Sequence, residues 1–182
     1  LGQRSLRLFE RQIFSAKQEH IRARTSRDLF LKHAKRNERI VRRDLVGLQA
    51  KASGVWVPNE LIADYVKQHP DKLEGWASID PNEPDCIEQL EHCIQDLGLK
   101  GLKLGPVYQH FDPQDRKHWP FFKKAQDLGL PIMWHQGTTF PSRARLNWGL
   151  PLQLEDIAMD FPDLKMIVAH LGHPWEEDLV VL

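Results

Sequence analysis

Cysteine is scarce in this 182-residue chain: there are two, Cys86 and Cys93. If "DCIEQLEHCIQDLG" is a helix, they lie two turns apart, about 10 Å of rise, which is too far for a disulfide. Their spacing beside Ile87, Leu90, Ile94 and Leu97 predicts packing in a core rather than redox or metal chemistry. Long apolar runs are also missing. None approaches the roughly 18 to 20 residues of a membrane span, and the opening "LGQRSLRLFER" has arginines where a secretory signal needs an apolar stretch. The cytosol is therefore the expected compartment, with no membrane contact. Neither G-x-G-x-x-G nor G-x-x-x-x-G-K-[ST] occurs, which argues against a Rossmann-type open sheet.

Net charge is absent too, but only as a sum. Residues 1–51 hold 14 Lys and Arg against 5 Asp and Glu, while residues 52–182 hold 11 against 20. The basic part, "RSLRLFERQIFSAKQEHIRARTSRDLFLKHAKRNERIVRRD", contains no Pro or Gly, and Leu6, Phe9, Ile13, Phe14, Leu29, Phe30 and His33 recur at a helical period. Residues 1–51 are thus expected to be a basic helical segment, set apart from a second unit over 52–182. Its charge reads as a solvated helix face. No nucleic-acid contact is expected, because no aromatic interleaving or binding motif accompanies the charge.

From Val55 onward helix and strand alternate. "ELIADYVKQHPD" is an amphipathic helix with Pro70 past its end, and "KLEGWASIDP" is a short strand closed by Asp80 and Pro81. "PDCIEQLEHCIQDLG" and "WPFFKKAQDLG" each end on a glycine, Gly98 and Gly129, before the strands "LKGLKLGP" and "LPIMWHQG". "PLQLEDIAMDFPD" leads into "LKMIVAHLGH". "DLGLKGLKL" and "DLGLPIMWH" share Asp-Leu-Gly-Leu at an offset of 31 residues, so the repeating unit is helix, glycine turn, strand. Mostly apolar strands in that alternation predict a parallel sheet covered by helices. The (β/α)8 barrel is favoured over the doubly wound sheet, which lacks its phosphate turn here.

Two strands end alike. His135 closes "LPIMWH", and His170 closes "LKMIVAH" 35 residues later. In barrels, functional groups sit at the C-terminal ends of strands, and imidazole both ligates Zn, Fe or Ni and moves protons near pH 7. His173, before Pro174, is expected to shape its loop. His69, His92, His110 and His118 have no partner at a useful spacing and are expected to be surface or satisfied residues. Lys103 in "GLKLGP" is interior or exterior depending on a one-residue choice of register. Arg143 and Arg145, in "TTFPSRARLNWG", are suited to binding a substrate carboxylate by bidentate hydrogen bonds.

The stretches "VPNELIADYVKQHPDKLEGWASIDP", "LGLKGLKLGPVYQHFDPQD", "PFFKKAQDLGLPIMWHQG" and "FPDLKMIVAHLGHPW" together resemble the amidohydrolase-related family of metal-dependent hydrolases and decarboxylases. The branch is the one that includes aminocarboxymuconate semialdehyde decarboxylase, and the resemblance spans about residues 54–182. It implies an incomplete (β/α)8 TIM barrel containing about the third to sixth strands. It also implies one divalent metal, commonly zinc, ligated by His135, with His170 contacting substrate and metal-bound water. The chain departs from the family pattern in having no His-x-His anywhere and in stopping at "EEDLVVL", so an internal piece of a barrel is expected.

By this resemblance the expected activity is hydrolysis by metal-activated water on a small-molecule substrate. The alternatives are non-oxidative decarboxylation of an unsaturated or aromatic acid on the same scaffold, and a non-catalytic truncated barrel. Exposed barrel edges also lead to an expectation of self-association.

Overall fold

Five short strands form one parallel sheet, and their order along the sheet fixes its architecture. The computed structural model describes residues 43–182. The strands are β1 (Arg43–Val46), β4 (Leu73–Ser78), β5 (Leu102–Leu104), β6 (Ile132–His135) and β7 (Met166–Ala169). They lie side by side in chain order, every pairing parallel. Two residues each of β2 (Gln49–Ala50) and β3 (Val55–Trp56) form a separate antiparallel pair. A doubly wound sheet reverses strand order at a switch point. No reversal occurs in this sheet, so right-handed crossovers put successive helices on the same face. The sheet is part of a TIM-type barrel, as the sequence pattern predicts.

The covering helices are α1 (Asn59–Lys67), α2 (Cys86–Gln95), α4 (Trp119–Asp127) and α5 (Glu155–Asp160). A one-turn α3 (Pro106–Gln109) follows β5, and α6 (Glu176–Val181) follows β7. The core lies between these helices and one face of the sheet. Leu102 and Leu104 of β5 and Ile132 and Trp134 of β6 meet Ile62, Leu90, Cys93, Phe121, Phe122 and Ile157 there. Phe122 stands edge-on to Trp134 with ring centroids 5.3 Å apart, within the range where aromatic pairs add to simple burial. Cys93 is buried and Cys86 packs against the same cluster, both as free thiols, as their spacing predicts.

The repeated Asp-Leu-Gly-Leu has one structural job at both places. Gly98 and Gly129 take positive φ, 73° and 66°, so each helix ends in a left-handed residue that costs glycine little. The leucine that follows, Leu99 or Leu130, is then buried.

Residues 43–50 differ from the sequence expectation. The basic helical segment expected over 1–51 would include them, but Arg43–Val46 pairs in register with Leu73–Trp76 as the sheet's first strand. The sheet therefore has five strands rather than the four expected. The remainder of the basic helical segment, residues 1–42, lies outside the described residues. No helix among the described residues is long and apolar enough to cross a membrane.

Candidate active site

Strand alternation sorts side chains onto two faces. With Leu102, Leu104, Ile132 and Trp134 committed to the helices, Lys103, Met133, His135, Ile167 and Ala169 fall on the opposite face. In a closed barrel that face is the interior wall. It is only partly covered here, and Ile167 is 42% exposed. This assignment resolves the register ambiguity of Lys103: it points away from the helices, between Ser78 of β4 and Met133 of β6.

His135 is the last residue of β6, and His170 directly follows β7. Their rings meet edge to face with centroids 4.8 Å apart. Tyr108 of α3 also packs edge-on against His135, centroids 4.7 Å apart. His135 Nε2 lies 3.0 Å from the Thr138 carbonyl oxygen. A carbonyl only accepts, so the neutral ring carries its proton on Nε2 and leaves the Nδ1 lone pair unprotonated. His170, by contrast, is exposed and sits at φ 62°, followed by Leu171 at φ 51°. Two consecutive non-glycine residues at positive φ hold backbone strain on the order of 1–3 kcal/mol each, and they turn the chain sharply at the strand end.

Burial pushes the His135 imidazole down to about 4, with the nearby Lys103 and His170 charges adding to the effect and the Thr138 carbonyl opposing it. Burial alone pushes Lys103 down to about 8. At neutral pH His135 is therefore neutral and Lys103 still charged. In the unfolded chain a histidine titrates near 6.5. As pH falls from there towards 4, the unfolded chain takes up this proton and the folded chain does not, so stability is lost over that window. Urea denaturation at pH 7 and pH 4.5 is expected to show a smaller acid loss in His135→Asn than in the unmodified chain. An equal loss in both would mean that the imidazole is not held neutral.

A backbone bond joins the loops after β6 and β7, Thr138 N donating to His173 O at 2.6 Å, and the first loop is closed on itself by Gly137 N donating to Gly149 O at 2.8 Å. Gly137 has φ 96°, and a Cβ there would lie 2.3 Å from the His173 oxygen. His173 also pairs through Nδ1 with Glu176 at 2.5 Å, in keeping with the loop-shaping role its position predicts.

The arginines are placed differently from the histidines. Both are exposed; Arg145 lies over the Trp148 ring at 5.1 Å, and the Arg143 carbonyl accepts from His110 Nε2 at 2.5 Å. Among the remaining histidines, His92 pairs with Asp96 and His69 packs against Tyr65. His118 is not on the surface: it is buried, Nδ1 donates to Pro81 O at 3.2 Å, and Nε2 has no partner. Its expected description as surface or satisfied holds for one ring nitrogen only. The sequence signal for its burial was the surrounding "HWPFF", whose apolar face it shares.

The family profile described as Amidohydrolase matches residues 17–180, most of the chain. The chain belongs to the amidohydrolase family. A 2-keto-4-carboxy-3-hexenedioate hydratase of Sphingobium sp. is 28% identical over 134 residues, which is 63% of this chain and 39% of the hydratase. A gamma-resorcylate decarboxylase of Rhizobium sp. is 23% identical over 140 residues, 63% of this chain and 43% of the decarboxylase. In three dimensions, an uncharacterised TIM-barrel protein of Bordetella bronchiseptica superposes with a TM-score of 0.67 at 24% identity, covering 76% of this chain and 49% of that one. The chain thus spans less than half the length of the curated relatives it matches.

Amidohydrolase membership implies a divalent metal, and the residues in hand can be tested against that. Among the described residues no three His, Cys, Asp or Glu side chains converge into a ligand set. His135 Nε2 is held by the Thr138 carbonyl, so the ring offers a single ligating nitrogen, Nδ1, and Lys103 on the same face is a cation that repels a metal. The described residues by themselves do not fit a resident metal ion, and no chemical step is drawn through one.

Proposed function

We propose that this chain supplies one wall of the active site of a lyase that decarboxylates or hydrates an unsaturated or aromatic carboxylic acid. The observation that carries the reading is the pair of edge-on imidazoles at the ends of neighbouring strands, one buried and neutral, the other exposed. The relatives named as a hydratase and a decarboxylase support it. Hydrolysis by an activated water, the leading expectation from sequence, has the family description in its favour and would use the same two histidines.

In the decarboxylating direction the carbon–carbon bond to the carboxylate breaks, carbon dioxide leaves, and the bond electrons stay on the substrate carbon, which must take a proton. His170 reaches solvent and can be recharged after each transfer. His135 stays unprotonated and packs against it, so it favours the ring orientation in which His170 faces the substrate. In hydration His170 takes the proton from the attacking water as its oxygen bonds one carbon of the substrate double bond, and the π electrons pass to the neighbouring carbon, which takes a proton from solvent.

The test is turnover of a panel of 2-hydroxybenzoates, unsaturated dicarboxylates and simple esters in deuterated water. Deuterium is expected on the carbon that loses carbon dioxide or, in hydration, on the carbon next to the one that receives the hydroxyl, and His170→Asn is expected to slow that step by roughly 10²- to 10⁴-fold. Turnover of acids at the same rate in His170→Asn, or turnover confined to the esters, would sink the lyase reading.

A further inference from the structure

We propose that Lys103 is the carboxylate receptor of this site, its ammonium group pairing with the acid group of a planar substrate. The inference rests on the lyase reading for its choice of substrate but on separate observations for the residue. Lys103 is 7% exposed, and its Nζ is buried with no hydrogen-bond partner. A buried cation without a counter-charge is among the costlier arrangements in a protein, and it persists where something arrives to complete it. Among the described residues, five exposed or half-buried lysines have carboxylate partners, among them Lys51 with Glu83, Lys123 with Asp127 and Lys124 with Glu91.

Position supplies the second half of the argument. Lys103 lies opposite Met133 in register, and His135 is two residues further along the same face of β6. That offset is about 7 Å along the strand and one strand spacing of about 4.8 Å across the sheet, within the span of a lysine side chain plus a carboxylate. The ammonium and the two imidazoles therefore lie along one strip of the face turned away from the helices, with Lys103 and His135 buried and His170 at its exposed end. An acid held there by Lys103 presents its adjacent carbon towards the histidines. Arg143 and Arg145, the expected carboxylate binders, are exposed, and Arg145 is stacked on Trp148. They are surface groups by comparison.

The experiment titrates the full chain with 2-hydroxybenzoate and with its neutral amide, 2-hydroxybenzamide, following the Cε resonances of labelled lysines. The acid is expected to bind and to shift one buried lysine signal. Its affinity is expected to fall roughly 10- to 100-fold in Lys103→Met, to recover in part in Lys103→Arg, and to change less than about threefold in the double variant Arg143→Ala, Arg145→Ala. The amide is expected to bind equally to all four proteins. Acid affinity unchanged in Lys103→Met, no acid binding by the unmodified chain, or a carbamate on Lys103 after incubation with labelled bicarbonate would each overturn the proposal. The two readings fail separately. Acid turnover that needs His170 yet keeps its KM in Lys103→Met leaves the lyase standing without this receptor. Lys103-dependent binding with no turnover of any acid leaves the receptor without the lyase.

Discussion

Gly137→Ala is expected to cost on the order of 3 kcal/mol or more and to open the site. Two effects add at this position. A side chain at φ 96° is strained whatever surrounds it, by roughly 1–3 kcal/mol. The new methyl would also lie 2.3 Å from the His173 carbonyl oxygen and 2.7 Å from the Gly172 carbonyl carbon, both backbone atoms with little room to retreat. The loop after β6 must then leave the loop after β7, losing the bond from Thr138 N to His173 O and, with it, the carbonyl that orients His135. Urea midpoints report the stability. Ring-proton titration reports the site, where His135 is expected to move from about 4 towards the ordinary histidine range. An alanine variant with the unmodified midpoint and an unmoved His135 would mean that the two loops are not tied at this residue.

Lys103→Met is expected to act in the opposite direction, raising stability by about 3 kcal/mol at pH 7. The folded-state pKa of about 8 lies below the ordinary lysine value near 10.5, and the gap corresponds to roughly that free energy. Its sign follows from proton counting. Between about 8 and 10.5 the unfolded chain holds more protons than the folded one, so the lysine destabilises the fold fully below 8 and ceases to do so above 10.5. Methionine fills a similar volume without the charge, and its advantage should shrink across that window. For a domain of this size the shift in Tm at neutral pH is on the order of 6–12 °C. An advantage over the unmodified chain no larger at pH 7 than at pH 10 would show that the ammonium is already compensated in the folded chain. The site thus carries a residue that the fold alone would be better without, a usual mark of a functional position.

How much of this could be read from the sequence depends on the length of the signal. The helices and the strands ending in His135 and His170 were legible because each has a full period of apolar residues bounded by Gly or Pro. The orientation of Lys103 was not, because β5 has three residues and alternation over three cannot fix which face is inward. Pairing with β4 and β6 fixes it, and pairing is a tertiary fact. β1 escaped for a related reason. Its four residues, "RDLV", continue a long run with helical spacing, and only their partner Leu73–Trp76 makes them a strand. The histidine pair was visible as two similar strand ends, but the tautomer of His135 depends on a carbonyl three residues ahead that a loop of different shape would have turned away.

The chain-order arrangement of the sheet bears on how the protein is made. Each strand from β4 onward is laid against the one that precedes it in the sheet, and none has to be inserted between two already placed. A nascent chain leaving the ribosome can therefore build this sheet by accretion, each new helix and strand burying its apolar side on a surface that synthesis has already delivered. Each step closes one crossover between adjacent strands, such as the one that brings Leu102 beside Ile132, and loop entropy is spent one crossover at a time. On such a route the histidines do not meet until β7 has docked, and among the described strands the one that completes the pair is the last to be translated.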